Sequence, residues 1–163
     1  MNLIWAASSM HRMANPARVF EKIGTTLSKD CLLVVVEMDV LPRYLPEDLG
    51  FGTPGLEERC HAAVNSAGWN SHPDWAEDID RSGMATTAKR TFTYSIAEEK
   101  ELVASNAQNF LTRMRENLTG TLPAEDLATL DALLATHGPH SVLQRTDLAM
   151  RGSRTVWTAR PAR

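Results

Sequence analysis

The stretch LIWAASSMHRMANPARVFEKIGTTLSKDCLLVVVE, residues 3–37, decides the fold. Leu3–Ala7 is a short apolar run, and Ser8–Ala14 is a polar loop. Asn15-Pro16 opens a helix, with Asn as N-cap and Pro at the first helical position, where its missing N–H costs nothing. Val19, Phe20, Ile23 and Leu27 fall on one face of that helix. Cys31–Val36 is wholly apolar and β-branched at its end, as a strand buried on both faces should be. Two such strands joined by a helix predict a right-handed βαβ unit in a parallel sheet. Ligands of such sheets sit at the carboxyl ends of the strands. The Ser8–Met13 loop and the segment after Val36 are therefore the first places to look for function.

The totals agree with a compact α/β chain. At 163 residues it can hold one domain with a real core. The net charge of −3 argues against a nucleic-acid partner, which would need a basic face. Cys31 and Cys60 give no disulfide framework, and a cysteine opening a buried strand suits a reducing cytoplasm. No apolar run approaches membrane-spanning length. MNLIWAASS lacks the Lys or Arg of a signal peptide.

Beyond the opening unit the chain alternates loops and helices. Residues 38–57, MDVLPRYLPEDLGFGTPGLE, hold three prolines and three glycines and predict a long functional loop or lid. Leu56–Ala67 predicts a helix stopped by Gly68, and Asp74–Gly83 a short acidic one. Met84–Ser95 alternates as a strand. Ser95 and Glu98 have the spacing of a capping box. The helix they would open carries Val103, Ala107, Phe110, Leu111, Met114 and Leu118 on one stripe. A second helix starts at Pro123, with Leu127, Leu130, Leu133 and Leu134 inward. Residues 97–137 thus form an αα-hairpin inserted between strands. The tail DLAMRGSRTVWTARP reads as two short strands about a turn at Arg151-Gly152-Ser153, the last closing a sheet edge.

Several chemistries can be weighed on these residues. Gly50-Phe-Gly-Thr-Pro-Gly55 has the letters of a dinucleotide-binding loop. No strand precedes it and Pro54 lacks a donor, so a cofactor role is rejected. Cys60-His61 and His72 show no metal-ligand spacing, and no metal is expected. Ser8-Ser9 lacks the glycines of a nucleophile elbow. His11 lies in the loop at the end of the first strand, where it either bonds loop backbone or faces a cofactor or substrate. Glu37, at the tip of the second strand, is either solvated or a substrate contact.

Residues 2–37 resemble the fourth-to-fifth-strand segment of class I S-adenosylmethionine-dependent methyltransferases. The matching positions are Ala7, His11, Asn15 and Pro16, followed by the strand Cys31–Val36; the tail RTVWTARP resembles the family's last strand. Asn2 stands where the family usually has Asp, Arg12 where an aromatic often follows, and Lys29-Asp30 replaces a common glycine pair. The family's glycine-rich loop and ribose-binding acid have no counterpart. The resemblance implies a partial Rossmann-like methyltransferase sheet, parallel strands plus antiparallel C-terminal ones. Residues 1–163 would be the C-terminal part of the domain, from the fourth strand onward. It implies S-adenosylmethionine as cofactor, with Ala6, Ala7, Ser8 and His11 on its methionine side and His11 as base. Glu37, Arg43 and Tyr44 would contact a small or medium organic acceptor. An unpaired edge on Leu3–Ala7 would call for a homodimer or a complementing N-terminal half. The alternative is a non-catalytic substrate-binding or assembly module derived from the same fold.

Overall fold

The computed structural model describes residues 3–69 and 72–162; Asn2 lies outside them. Its sheet has four strands in the order β1-β2-β4-β3, where β1 is Leu3–Ala7, β2 Leu32–Met38, β3 Met84–Ile96 and β4 Met150–Pro161. β1 and β2 are parallel, with Leu3 opposite Leu32 and Ala7 opposite Val36. β2 and β4 are antiparallel, with Leu33 opposite Ala159 and Met38 opposite Arg154. This is the expected α/β sheet, parallel first and antiparallel at its C-terminal end.

The chain divides into two compact units. The first comprises residues 1–40, 70–93 and 153–163. Between β1 and β2, helix α1 (Pro16–Thr26) starts as expected, the Asn15 side chain accepting the Arg18 N–H at 3.0 Å. Phe20 of α1, Leu33 and Val35 of β2, Trp157 and Ala159 of β4, and Ile79 of helix α3 (Ala76–Arg81) build its core. The indole N–H of Trp157 is satisfied by Asp74 Oδ1 at 2.8 Å, and Lys89 holds the other oxygen of that carboxylate at 2.6 Å. These bonds hold the Asp74 carboxyl down at about 2.

The second unit comprises residues 41–69 and 94–152. Helix α2 (Leu56–Ser66) joins the expected pair α4 (Lys100–Asn117) and α5 (Ala124–Leu134) around one core, which includes Cys60, Val64, Ala107, Leu111, Leu130 and Leu133. The stripe read from the sequence is the buried face: Val103, Ala107, Leu111 and Met114 are all buried. Residues 39–55 carry no helix or named strand, as their prolines and glycines require.

Three local expectations are corrected. The capping box at Ser95 does not form: β3 continues through Ile96, α4 starts at Lys100, and Glu99 at its N-cap makes no side-chain cap bond. The tail has no turn at Gly152, because β4 is one continuous strand from Met150 to Pro161. Gly152 is there for close approach: a Cβ would lie 2.5 Å from the Tyr94 hydroxyl. Nor does β4 close an edge. It lies between β2 and β3, its alternate residues Thr155, Trp157 and Ala159 buried. β3 forms that edge and carries Lys89 and Arg90, charges that discourage further pairing.

Gly24 offers a test of this packing, because two effects oppose each other there. Replacing a helical glycine with alanine normally stabilises by about 1 kcal/mol. Here the added Cβ would meet the Ser82 carbonyl oxygen at 2.5 Å, a backbone atom that cannot rotate away. Gly24→Ala is expected to destabilise by about 1–2 kcal/mol in urea denaturation, the sign opposite to helix propensity.

Candidate active site at the carboxyl ends of β1 and β2

The parallel pair ends with the Ser8 N–H donating to the Val36 carbonyl at 2.8 Å. The chain then leaves the sheet through Ser8, whose φ of 47° is left-handed. For a non-glycine residue that conformation costs about 1 kcal/mol. A short 3-10 turn, Met10–Arg12, follows and inserts Met10 into the core of the first unit.

That turn is anchored by Glu37. The alternation of β2 puts Glu37 on the same face as Leu33 and Val35, and its side chain is fully buried. Oε1 accepts the Met10 N–H at 2.9 Å and the His11 N–H at 3.4 Å. Oε2 lies 2.8 Å from His11 Nδ1. A carboxylate can only accept, so Nδ1 donates this bond, and in the neutral imidazole Nε2 then keeps its lone pair. The His11 side chain is 11% exposed and lines a shallow depression of about 390 Å³ with Asn15, Pro16, Trp75 and Asp78. The arrangement is an oriented imidazole whose Nε2 can take a proton, with a buried carboxylate behind it to stabilise the resulting charge.

Ser8 has a second neighbour, Arg154 of β4, whose guanidinium donates to Ser8 Oγ at 2.9 Å. Arg154 opens the RTVWTARP stretch read as the last strand and was not singled out in the sequence.

The structure brings Ala6, Ala7, Ser8, His11 and Glu37 together at one end of β1 and β2. Ala6 and Ala7 face opposite sides of the sheet: Ala6 packs on the core while Ala7 is exposed. The two cannot present their methyl groups to one ligand. Glu37 is neither solvated nor open to a substrate; its buried carboxylate bonds the His11 ring. Arg43 and Tyr44 belong to the second unit. Tyr44 is a core residue at 4% exposure, its ring centroid 5.6 Å from that of Phe110. Burial pushes its hydroxyl up to about 12. Arg43 lines a cleft of that unit. His61 is buried in α2, and burial, then the Arg43 charge, lower its pKa to about 4. Gly50, Gly52 and Gly55 all have positive φ, and Gly55 is the N-cap of α2.

No family model matches the chain, and no curated protein does. Among solved structures, a Bacillus halodurans protein assigned as a methyltransferase shares 15% identity at a TM-score of 0.49, over 99% of this chain and 64% of its own. A Galdieria sulphuraria protein assigned as a sarcosine dimethylglycine methyltransferase shares 11% at 0.41, over 98% and 52%. A methyltransferase of Thiobacillus denitrificans, bound to S-adenosylhomocysteine, shares 10% at 0.39, over 100% and 58%. The chain thus spans roughly half to two thirds of the length of these structures. Each is named a methyltransferase, and the third an S-adenosylmethionine-dependent one. At such identities, and with TM-scores below 0.5, they assign no role to any residue of this chain.

Two measurements probe the site and its surroundings. In Glu37→Gln the amide can donate to Nδ1, which moves the proton of neutral His11 to Nε2. Imidazole ¹⁵N spectra should show the Nδ1–H tautomer in the parent and the Nε2–H tautomer in the variant. The second measurement concerns His61, held neutral in the folded state with its pKa lowered from 6.5 to about 4. The unfolded chain binds the extra proton first, so His61 costs stability as pH falls from about 6.5 to about 4, on the order of 2 kcal/mol. Burial raises Glu57 from 4.5 to about 6, and its contribution has the opposite sign: stability present below 4.5 and lost as pH rises through 6. The stability difference between the parent and His61→Gln should therefore shrink as pH is lowered through that window, measured by urea denaturation.

Proposed function

We propose that this chain takes part in S-adenosylmethionine-dependent methyl transfer to a small or medium organic acceptor. The observation that carries the reading is the His11–Glu37 pair, set at the carboxyl ends of two parallel strands. Such ends are where open α/β sheets bind their ligands. The residues fit the methionine portion of the cofactor. Arg154, beside Ser8, supplies a cation for a carboxylate, and Ala7 is exposed with only a methyl side chain. The bound cofactor would supply an electrophilic methyl group on sulfur. His11 Nε2 would take the proton that the acceptor's nucleophile loses, and Glu37 would hold the ring and stabilise the imidazolium. Ala6 would contribute through its backbone, since its side chain faces the core.

A second reading rests on the open edge of the sheet. β1 ends the strand order among the described residues, and Leu3 and Trp5 are 51% and 63% exposed. Apolar side chains on an unpaired strand favour an added strand, from a second copy or a complementing N-terminal half. In this reading the chain is a binding or assembly module without catalysis of its own.

Calorimetry with S-adenosylhomocysteine separates the two readings. Methyl transfer predicts saturable micromolar binding. His11→Asn should then keep that affinity within about threefold and lower kcat by roughly 10²–10⁴, the usual contribution of a general base. Absent binding, together with a concentration-dependent dimer in sedimentation, would replace the first reading with the second.

A further inference from the structure

The geometry points to a carboxylate-binding cleft in the second unit, built on Arg43 and Arg151. It uses residues of that unit alone and stands whether or not the chain transfers methyl groups. Arg43 and Arg151 form an isolated antiparallel bridge. Each N–H donates to the other's carbonyl at 2.8 Å. Residues of such a pair project their side chains to the same face, and like charges placed directly opposite destabilise the pairing. Two arginines at these positions repel each other, a cost that Glu58 and Glu57 offset in part.

The cleft holds about 530 Å³ and is lined by both arginines with Leu45, Pro46, Glu57 and Glu58, among others. Its hydrogen-bonding inventory is lopsided. The two oxygens of Glu57 already accept the Tyr44 N–H at 2.6 Å and the Leu45 N–H at 3.1 Å. Arg59 is bound by Asp126 through two bonds of 2.8 and 2.7 Å and by the carbonyls of Thr53 and Pro54. Among the described residues, Arg43 pairs with Glu58, and Arg151 donates to the Leu45 carbonyl and lies 3.8 Å from Glu57 Oε2. Each guanidinium has five N–H donors, so both keep several for the cleft. Their side chains are 37% and 45% exposed.

What complements two forked donors on one face is a planar anion that accepts two bonds from each side. The lining also includes Glu47, Glu57 and Glu58, which disfavour a dianion. A single carboxylate therefore fits better than a phosphate. Pro46 offers apolar surface for the body that carries it, and the volume exceeds what a carboxylate alone would fill. The ligand class is a small organic monocarboxylate.

The test is a titration of the whole chain with benzoate, its neutral isostere benzamide, and inorganic phosphate, following the arginine Nε–H signals by NMR. Benzoate should give saturable shifts at Arg43 and Arg151, with weaker effects from the other two. Arg43→Gln keeps the backbone bridge and loses only a side-chain contact with exposed Glu58, so the fold should hold. Its benzoate affinity should fall roughly tenfold, about 1.4 kcal/mol. Glu58→Gln removes the group that competes for Arg43 and should tighten binding. Four results would each overturn the assignment: no saturable benzoate shift, equal response to benzamide, stronger response to phosphate, or weaker binding in Glu58→Gln.

Discussion

A buried carboxylate that accepts backbone N–H groups is the constraint on which both units depend. In the first unit Glu37 is fully buried, and its oxygens take the N–H groups of Met10 and His11 and the ring nitrogen of His11. Burying a charge is expensive unless hydrogen bonds replace water. Once it is buried, the groups that bond it are fixed in turn, because moving them would leave the charge unpartnered. The Met10–Arg12 turn is therefore held against β2 by the chemistry of one side chain. Met10 itself, 1% exposed, adds an apolar contact that closes the turn onto the core.

Glu57 does the same in the second unit. Its oxygens accept the N–H groups of Tyr44 and Leu45, in a segment where prolines preclude a regular ladder. Loop backbone groups need partners as much as helical ones do, and a glutamate on α2 provides them. The difference lies in what each carboxylate has beside it. Glu37 faces a histidine ring at hydrogen-bond distance, which gives an oriented base. Glu57 lies 3.8 Å from the Arg151 guanidinium, which leaves that arginine's charge only partly matched.

The βαβ unit was legible because each of its signals is local: an N-cap, a proline at the first helical turn, a valine run. The helices of the second unit were legible from their apolar stripes for the same reason. Ser95 and Glu98 have the right spacing for a capping box, but pairing with a neighbouring strand carries the extended conformation through Ile96, and tertiary pairing wins. Gly152 read as a turn because glycine most often marks one; the reason for it here is Tyr94, 58 residues away in the chain and invisible to local pattern. His11 and Glu37 were both singled out by position at strand ends. That they meet could not be read, since it depends on a strand register and on a 3-10 turn within an apparently featureless loop. Tyr44, expected to contact an acceptor from the loop after Glu37, is core, because its ring packs near Phe110 on α4.

Stability alone does not account for the end of β2. Val34, Val35 and Val36 precede Glu37, and the run ends in an interior charge whose burial is costly even with the Met10 and His11 N–H groups as its partners. At the adjoining end of β1, Ser8 holds a left-handed conformation where glycine would be less strained. Two local costs therefore coincide at neighbouring strand ends. Elsewhere in the same unit local preferences and packing agree, from the Asn15 cap to the buried alternation of β4. Sequences that are otherwise self-consistent break their own rules mainly where something other than folding is served. Here the departures converge on a histidine that lines a depression in the surface, and that convergence distinguishes this strand end from the rest of the sheet.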